Sequence, residues 1–126
     1  MIFILGGVYQ GKVNWVKENY KLEFNKKESK DYELLNVNDN TIVINNIEYL
    51  TKNSHYELEI DKLLEWENND SDRVVILIGN SIGRAVVPIN EHERIFRDEV
   101  GFFYQRLIPK CFSVYRLWNG IEEKLK

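Results

Sequence analysis

Lys12 closes a G-x-x-x-x-G-K pattern that reads Gly6-Gly7-Val8-Tyr9-Gln10-Gly11-Lys12. Residue types at this spacing suit phosphate chemistry. Glycines let the chain curl without Cβ clashes. The loop N–H groups then turn inward toward an anion, and a following helix N-terminus adds positive potential. The lysine ammonium reaches the outer phosphates. One position departs from the pattern: Val13 stands where a Ser or Thr hydroxyl ordinarily binds Mg²⁺. Phosphate cradling and metal-assisted transfer therefore come apart at this residue. The alternative reading of the same residues is a glycine-rich βα turn of an α/β fold that binds nothing.

Such a loop needs a strand before it and a helix after it. Met1 to Leu5 is an unbroken apolar run, which predicts a central parallel strand. A helix is expected from about Lys12 to Tyr20. Residues 21–40 are mostly polar without a clean period, leaving an edge strand or short helix within a loop. Thr41 to Asn45 predicts a second buried strand. Folds of this type usually end it with an acidic residue that holds Mg²⁺ through water. Here Asn45 and Asn46 stand there. An amide carries no charge and is a poor magnesium ligand, and a turn former is the alternative role for Asn45.

Further on, Ser54 with Glu57 predicts a capping box. It opens a helix to about Glu67 with Tyr56, Ile60, Leu63, Leu64 and Trp66 near one face. Arg73 to Ile78 predicts a third buried strand, followed by a loop over residues 79–84. Ligands of open α/β sheets sit beyond the strands' carboxyl ends. The loops at 6–12, 45–46 and 79–84 are therefore expected to converge on one crevice, with Asn45, Asn80, Ser81 and Arg84 lining it. The longest helix is expected from Glu91 to about Ile108, with Phe96, Val100, Phe103 and Leu107 as its packed stripe and Arg94, Arg97 and Arg106 on its charged flank. Pro109 stops it. Strands at 111–118 and 121–126 about an Asn119-Gly120 turn close the chain.

Composition sets limits on this reading. The 126 residues suffice for one domain over 1–126, and 44% hydrophobic content supplies a core. A net charge of −3 gives no general pull toward nucleic acid or anionic membrane. The single cysteine, Cys111, excludes a disulfide framework and fits a reducing cytoplasm. The apolar start lacks the basic region of a signal peptide, and no run approaches a membrane span. His55 and His92 have no cysteine or carboxylate cluster at ligand spacing, so no metal site is expected.

Three stretches resemble the bifunctional adenosylcobinamide kinase/adenosylcobinamide-phosphate guanylyltransferase family of cobalamin biosynthesis. I-L-G-G-V-Y-Q-G-K, from Ile4 to Lys12, is similar to the family's T-G-G-x-x-S-G-K-S. V-V-I-L-I-G-N-S-I-G-R-A-V-V-P, from Val74 to Pro88, resembles V-x-V-x-N-E-V-G-x-G-I-V-P. R-I-F-R-D-E-V-G-F-F-Y-Q-R-L, from Arg94 to Leu107, resembles R-x-F-R-D-x-x-G-x-x-N-Q-x-L. Residues 1–20 and 72–126 are covered well, and Thr41 to Leu50 more weakly.

The resemblance implies a P-loop NTPase-like (RecA-like) three-layer α/β fold, with a mainly parallel central sheet and a C-terminal antiparallel strand pair. It implies a homotrimer that takes ATP or GTP at Gly6 to Val13, with Lys12 as the catalytic cation, and a cobinamide as acceptor. The departures bear on activity. Val13, Asn45 and Ser81 stand where the family carries a hydroxyl residue, an Asp and a Glu. Ala85 replaces a Gly and Tyr104 an Asn. No histidine lies between Lys12 and Leu50, where the family holds the one that takes GMP covalently. Guanylyl transfer is therefore expected to be absent and Mg²⁺ weakly held. Two functions stay open: a divergent cobinamide kinase, or a degenerate relative that binds a nucleotide or corrinoid or assembles with an active paralogue. Phe102, Phe103 and Tyr104 in a row cannot all face one core, so at least one is expected to meet a partner.

Overall fold

The computed structural model describes residues 1–7, 11–24, 27–28, 32–81 and 90–126. In chain order its elements are β1 (Ile2–Gly6), α1 (Lys12–Asn19), β2 (Lys27–Glu28), β3 (Glu33–Val37), β4 (Thr41–Asn45), α2 (Tyr56–Asn68), β5 (Val74–Asn80), α3 (Glu91–Leu107), β6 (Ser113–Trp118) and β7 (Ile121–Lys124). Single 3₁₀ stretches occupy Ile47–Lys52 and Ile108–Lys110.

β1 is apolar on both faces, so it has to lie inside a sheet. It does: β5 and β6 flank it, both parallel, and β4 runs parallel to β5. Antiparallel strands finish the edges, with β3 on β4, β2 on β3 and β7 on β6. The order across the seven-stranded sheet is β2-β3-β4-β5-β1-β6-β7. The mainly parallel centre and the antiparallel C-terminal pair agree with the expected fold.

Alternation along the strands sorts side chains into two cores. Phe3, Ile44, Val75 and Leu77 face α2, α3 and the Ile47–Lys52 turn. Ile2, Ile4, Val43, Ile76 and Ile78 face α1 through Val16. The helical stripes read from the sequence are the buried ones. Tyr56 and Ile60 of α2, and Val100, Phe103 and Leu107 of α3, enter the first core, with Leu63, Leu64, Trp66 and Phe96 packed against it. Each fully buried aliphatic or aromatic side chain contributes about 1.5–3 kcal/mol.

Several details differ from the sequence expectations. Ser54 does not cap α2. The helix starts at Tyr56 behind His55, and no side chain caps it. The preceding turn supplies the partners instead: Tyr56 N–H donates to Asn53 O at 3.3 Å, and Leu58 N–H to His55 O at 3.1 Å. Glu57 is drawn away by Arg106, at 2.7 Å. A cap the sequence reading missed opens α3, where Asn90 Oδ1 accepts from Glu93 N–H at 2.9 Å. Gly79 and Asn80 continue β5 rather than starting a loop. β3 resolves part of the ambiguous 21–40 segment as a strand. Of the aromatic trio, Phe103 and Tyr104 are buried, whereas Phe102 is 55% exposed.

Cys111 yields a prediction. It is buried, and its thiol donates to Leu107 O at 3.4 Å. Burial pushes the thiol up from its ordinary value near 9.0 to about 11. Native protein should therefore resist Ellman's reagent at pH 8 and react fully in urea. The folded pKa lies above the unfolded one, so the thiol's contribution to stability is complete below the unfolded range. It is lost as pH climbs from near 9 to about 11. Rapid labelling of the native protein at pH 8 would contradict this burial.

Candidate functional site

The carboxyl ends of β1 and β5 lie side by side, with Gly6 opposite Asn80. Here the chain leaves β1, passes through residues 8–10, which lie outside the described residues, and returns as α1. Gly11 is the N-cap of α1 with φ 78°, a left-handed conformation that glycine adopts without a Cβ penalty. Gly6 answers a different need. A Cβ there would stand 2.6 Å from Leu117 O of β6, so only glycine lets the strands approach this closely. Ser81 N–H donates to Gly6 O at 2.8 Å, tying the two strand ends together.

The first residue of α1 is Lys12, and its side chain folds back over the strand end. It is only 7% exposed. Its ammonium donates to Gly6 O at 3.2 Å, to Gly7 O at 2.7 Å and to Asn80 Oδ1 at 2.7 Å, which occupies all its N–H groups. Burial lowers the Lys12 pKa from the usual lysine value, and the charge of Glu48 works in the opposite direction.

Asn80 passes the interaction on. Its side-chain N–H₂ donates to Glu48 Oε2 at 2.6 Å and its backbone N–H to Glu48 Oε1 at 3.2 Å. Its carbonyl accepts the Tyr104 hydroxyl at 2.8 Å. The Tyr104 ring reaches this point because residue 79 is glycine. A Cβ on Gly79 would stand 2.5 Å from the Tyr104 hydroxyl oxygen. Burial pushes the Tyr104 phenol well above its ordinary range.

Lys12, Asn80 and Ser81 are thus brought together with Gly6 and Gly7. Asn45 and Asn46 depart from the expected convergence. Their amides turn to Glu33 Oε1 on β3, at 3.5 Å and 3.2 Å. Glu33 carries the charge that neither asparagine has, so it draws their donors toward the sheet edge. Asn46 takes φ 56° and redirects the chain into the Ile47–Lys52 turn. That turn delivers Glu48, 4% exposed, to the place where Asn45 was expected. Glu48 was missed from the sequence, where only its proximity to a strand end could have marked it. Val13 packs partly buried against the α1-side core. Val8, Tyr9, Gln10, Arg84 and Ala85 lie outside the described residues. His55 and His92 are exposed at the starts of α2 and α3. Arg94 is exposed and Arg97 half-buried on α3. Arg106 pairs with Glu57 and donates to the Tyr56 hydroxyl.

A sequence model of the cobinamide kinase / cobinamide phosphate guanyltransferase family matches residues 12–125. No curated protein matches the chain. The family match spans α1 to β7 and contains Lys12, Glu48, Asn80 and Tyr104, so the chain belongs to this family and its fold is P-loop-like. Among the described residues no helix is long and apolar enough to cross a membrane.

Proposed function

We propose that this member of a cobalamin-biosynthesis family binds ATP or GTP by its phosphates at the turn from Gly6 to Lys12. The observation that carries the reading is the Lys12 ammonium, held at the end of β1 beside the N-terminus of α1. A cation there, together with helix N–H groups, suits an incoming phosphate. Of the two backbone contacts, the Gly6 O bond is buried and the Gly7 O bond partly buried, so the Gly7 O bond is the backbone contact a phosphate oxygen replaces more readily. If the chain is an active kinase, the transfer goes to a cobinamide, and Lys12 neutralises charge on the moving phosphoryl group.

A magnesium ion does not fit this residue set well. Val13 has no side-chain oxygen, Asn45 offers only an uncharged amide whose N–H₂ points to Glu33, and both Glu48 oxygens accept from Asn80. Magnesium asks for several oxygen ligands in near-octahedral array, which these side chains do not supply. The same commitments favour the second reading: a catalytically degenerate relative that binds a nucleotide or corrinoid, or assembles with an active paralogue. Guanylyl transfer is expected to be absent in both readings, because no histidine stands within residues 12–50 and His55 and His92 belong to the starts of α2 and α3. An acid-labile protein adduct from labelled GTP would overturn that part.

Calorimetric titration with ATP and GTP, with Mg²⁺ or with EDTA, tests the proposal. Binding should persist in EDTA with little loss. Affinity that collapses there would show that other residues hold the metal and would favour the active kinase. No binding of either nucleotide would remove the phosphate site. A transfer assay with cobinamide then separates the two readings. A closed homo-oligomer, a trimer on the family pattern, is supported by the exposed Phe102 on α3 and by Trp118 and Ile121 at the β6–β7 turn. Light scattering that gives a clean monomer at tens of micromolar would count against it.

A further inference from the structure

We propose that Glu48 is a positioning residue for Lys12: its carboxylate grips Asn80 through backbone and side chain, and Asn80 holds the lysine ammonium at the phosphate end of the sheet. The geometry is a line of three groups. Glu48 Oε2 accepts from Asn80 Nδ2 at 2.6 Å, and Asn80 Oδ1 accepts from Lys12 Nζ at 2.7 Å. The Asn80 amide is oriented by its neighbours, with its oxygen toward the cation and its N–H₂ toward the anion. Oε1 adds a second hold on the Asn80 backbone N–H at 3.2 Å. Tyr104, donating to Asn80 O, fixes the same residue from α3.

This arrangement solves a problem set by burial. A buried ammonium is costly without a compensating charge. A carboxylate in direct contact would supply that charge, but it would also occupy the N–H groups that a phosphate needs. With Asn80 in between, Glu48 compensates the charge at longer range and leaves the ammonium bonded mainly to neutral carbonyl oxygens, which an anion displaces more easily. Glu48 can hold this place because the left-handed Asn46 turns the chain inward from β4. The inference rests on the reading of this strand end as a phosphate site.

The test uses the nucleotide-free full chain with isotope-labelled lysine. The Lys12 resonances are assigned by their loss in Lys12→Arg. Glu48→Gln keeps the shape and removes the charge, so the Lys12 titration midpoint should fall below that of the wild type. An unchanged or higher midpoint would overturn the proposal. Where Glu48→Gln does not fold, Glu48→Asp decides. Its shorter arm cannot span both Asn80 donors, so the Lys12 ammonium proton signal should be lost to solvent exchange. Retention of that signal at wild-type intensity would overturn the positioning role. Both readouts are independent of nucleotide. A wild type that binds neither ATP nor GTP removes the phosphate reading and leaves the Glu48 result to stand or fall on the lysine signals.

Discussion

Lys12→Ala should weaken ATP and GTP binding by about a hundredfold and also lower the stability of the free protein. The affinity loss follows from removing the ammonium that sits at the β1 end. Truncating one partner of a buried, hydrogen-bonded charge pair costs about 2–5 kcal/mol, and 1.4 kcal/mol is a factor of ten. The stability loss follows from the contacts that Lys12 already makes. Gly6 O, Gly7 O and Asn80 Oδ1 all lose their lysine donor, and the Glu48 carboxylate loses the charge that offsets it. Gly6 O keeps its bond from Ser81 N–H, but depriving Gly7 O and Asn80 Oδ1 of the lysine, and the buried Glu48 of its offsetting charge, costs about 2–4 kcal/mol. Calorimetry reads the first effect and urea unfolding the second. A variant with unchanged affinity would place the phosphates elsewhere. A variant with unchanged stability would mean that Lys12 is not bonded as described.

Gly79→Ala should destabilise the fold by about 3 kcal/mol, as overpacking of a filled core does. The new methyl would meet the Tyr104 hydroxyl oxygen at 2.5 Å, Ile47 Cγ2 at 3.0 Å and Phe3 Cε1 at 3.1 Å. The tyrosine cannot swing aside cheaply. Its ring packs edge-on against Phe3 with centroids 5.0 Å apart, and its hydroxyl is committed to Asn80 O. Tyr104→Phe alone should cost about 1 kcal/mol, the worth of one hydrogen bond. Together the two changes should cost less than their sum by at least about 1 kcal/mol, because losing the hydroxyl oxygen relieves the nearest clash. Chemical unfolding of the four proteins measures the coupling. Simple additivity would assign the strain to Ile47 and Phe3 instead.

Much of the scaffold can be read from local pattern. The apolar runs within Met1–Leu5, Thr41–Asn45 and Arg73–Ile78 mark strands buried on both faces, and these became β1, β4 and β5. The spacing of Phe96, Val100, Phe103 and Leu107 marks one face of α3. Pattern works at these places because burial demands apolar residues at the element's own period. Boundaries were less legible. Ser54 and Glu57 have the spacing of a capping box, yet the preceding turn and Arg106 compete for the same groups. β3 was ambiguous because a register shift between Leu34 and Asn36 breaks its alternation, and the backbone pairing with β2 and β4 that holds it leaves no local pattern.

The candidate site divides along the same line. By itself, the sequence determined that glycines and a lysine follow a buried strand, that Val13 lacks a hydroxyl and Asn45 a charged carboxylate for magnesium, and that no histidine stands between Lys12 and Leu50. Each of these is a matter of residue identity at a known spacing. Only the tertiary structure decided where the charge near Lys12 would come from. Glu48 lies 36 residues beyond Lys12 in an irregular turn without periodicity, and nothing local distinguishes it from a solvent-exposed glutamate. The parallel pairing of β1 with β5 and β5 with β4 lays three chain-distant ends side by side. Asn46 then turns Glu48 toward Asn80 and away from solvent. A carboxylate's role depends on which donors and cations the fold brings within hydrogen-bond reach, and here those donors come from a different strand.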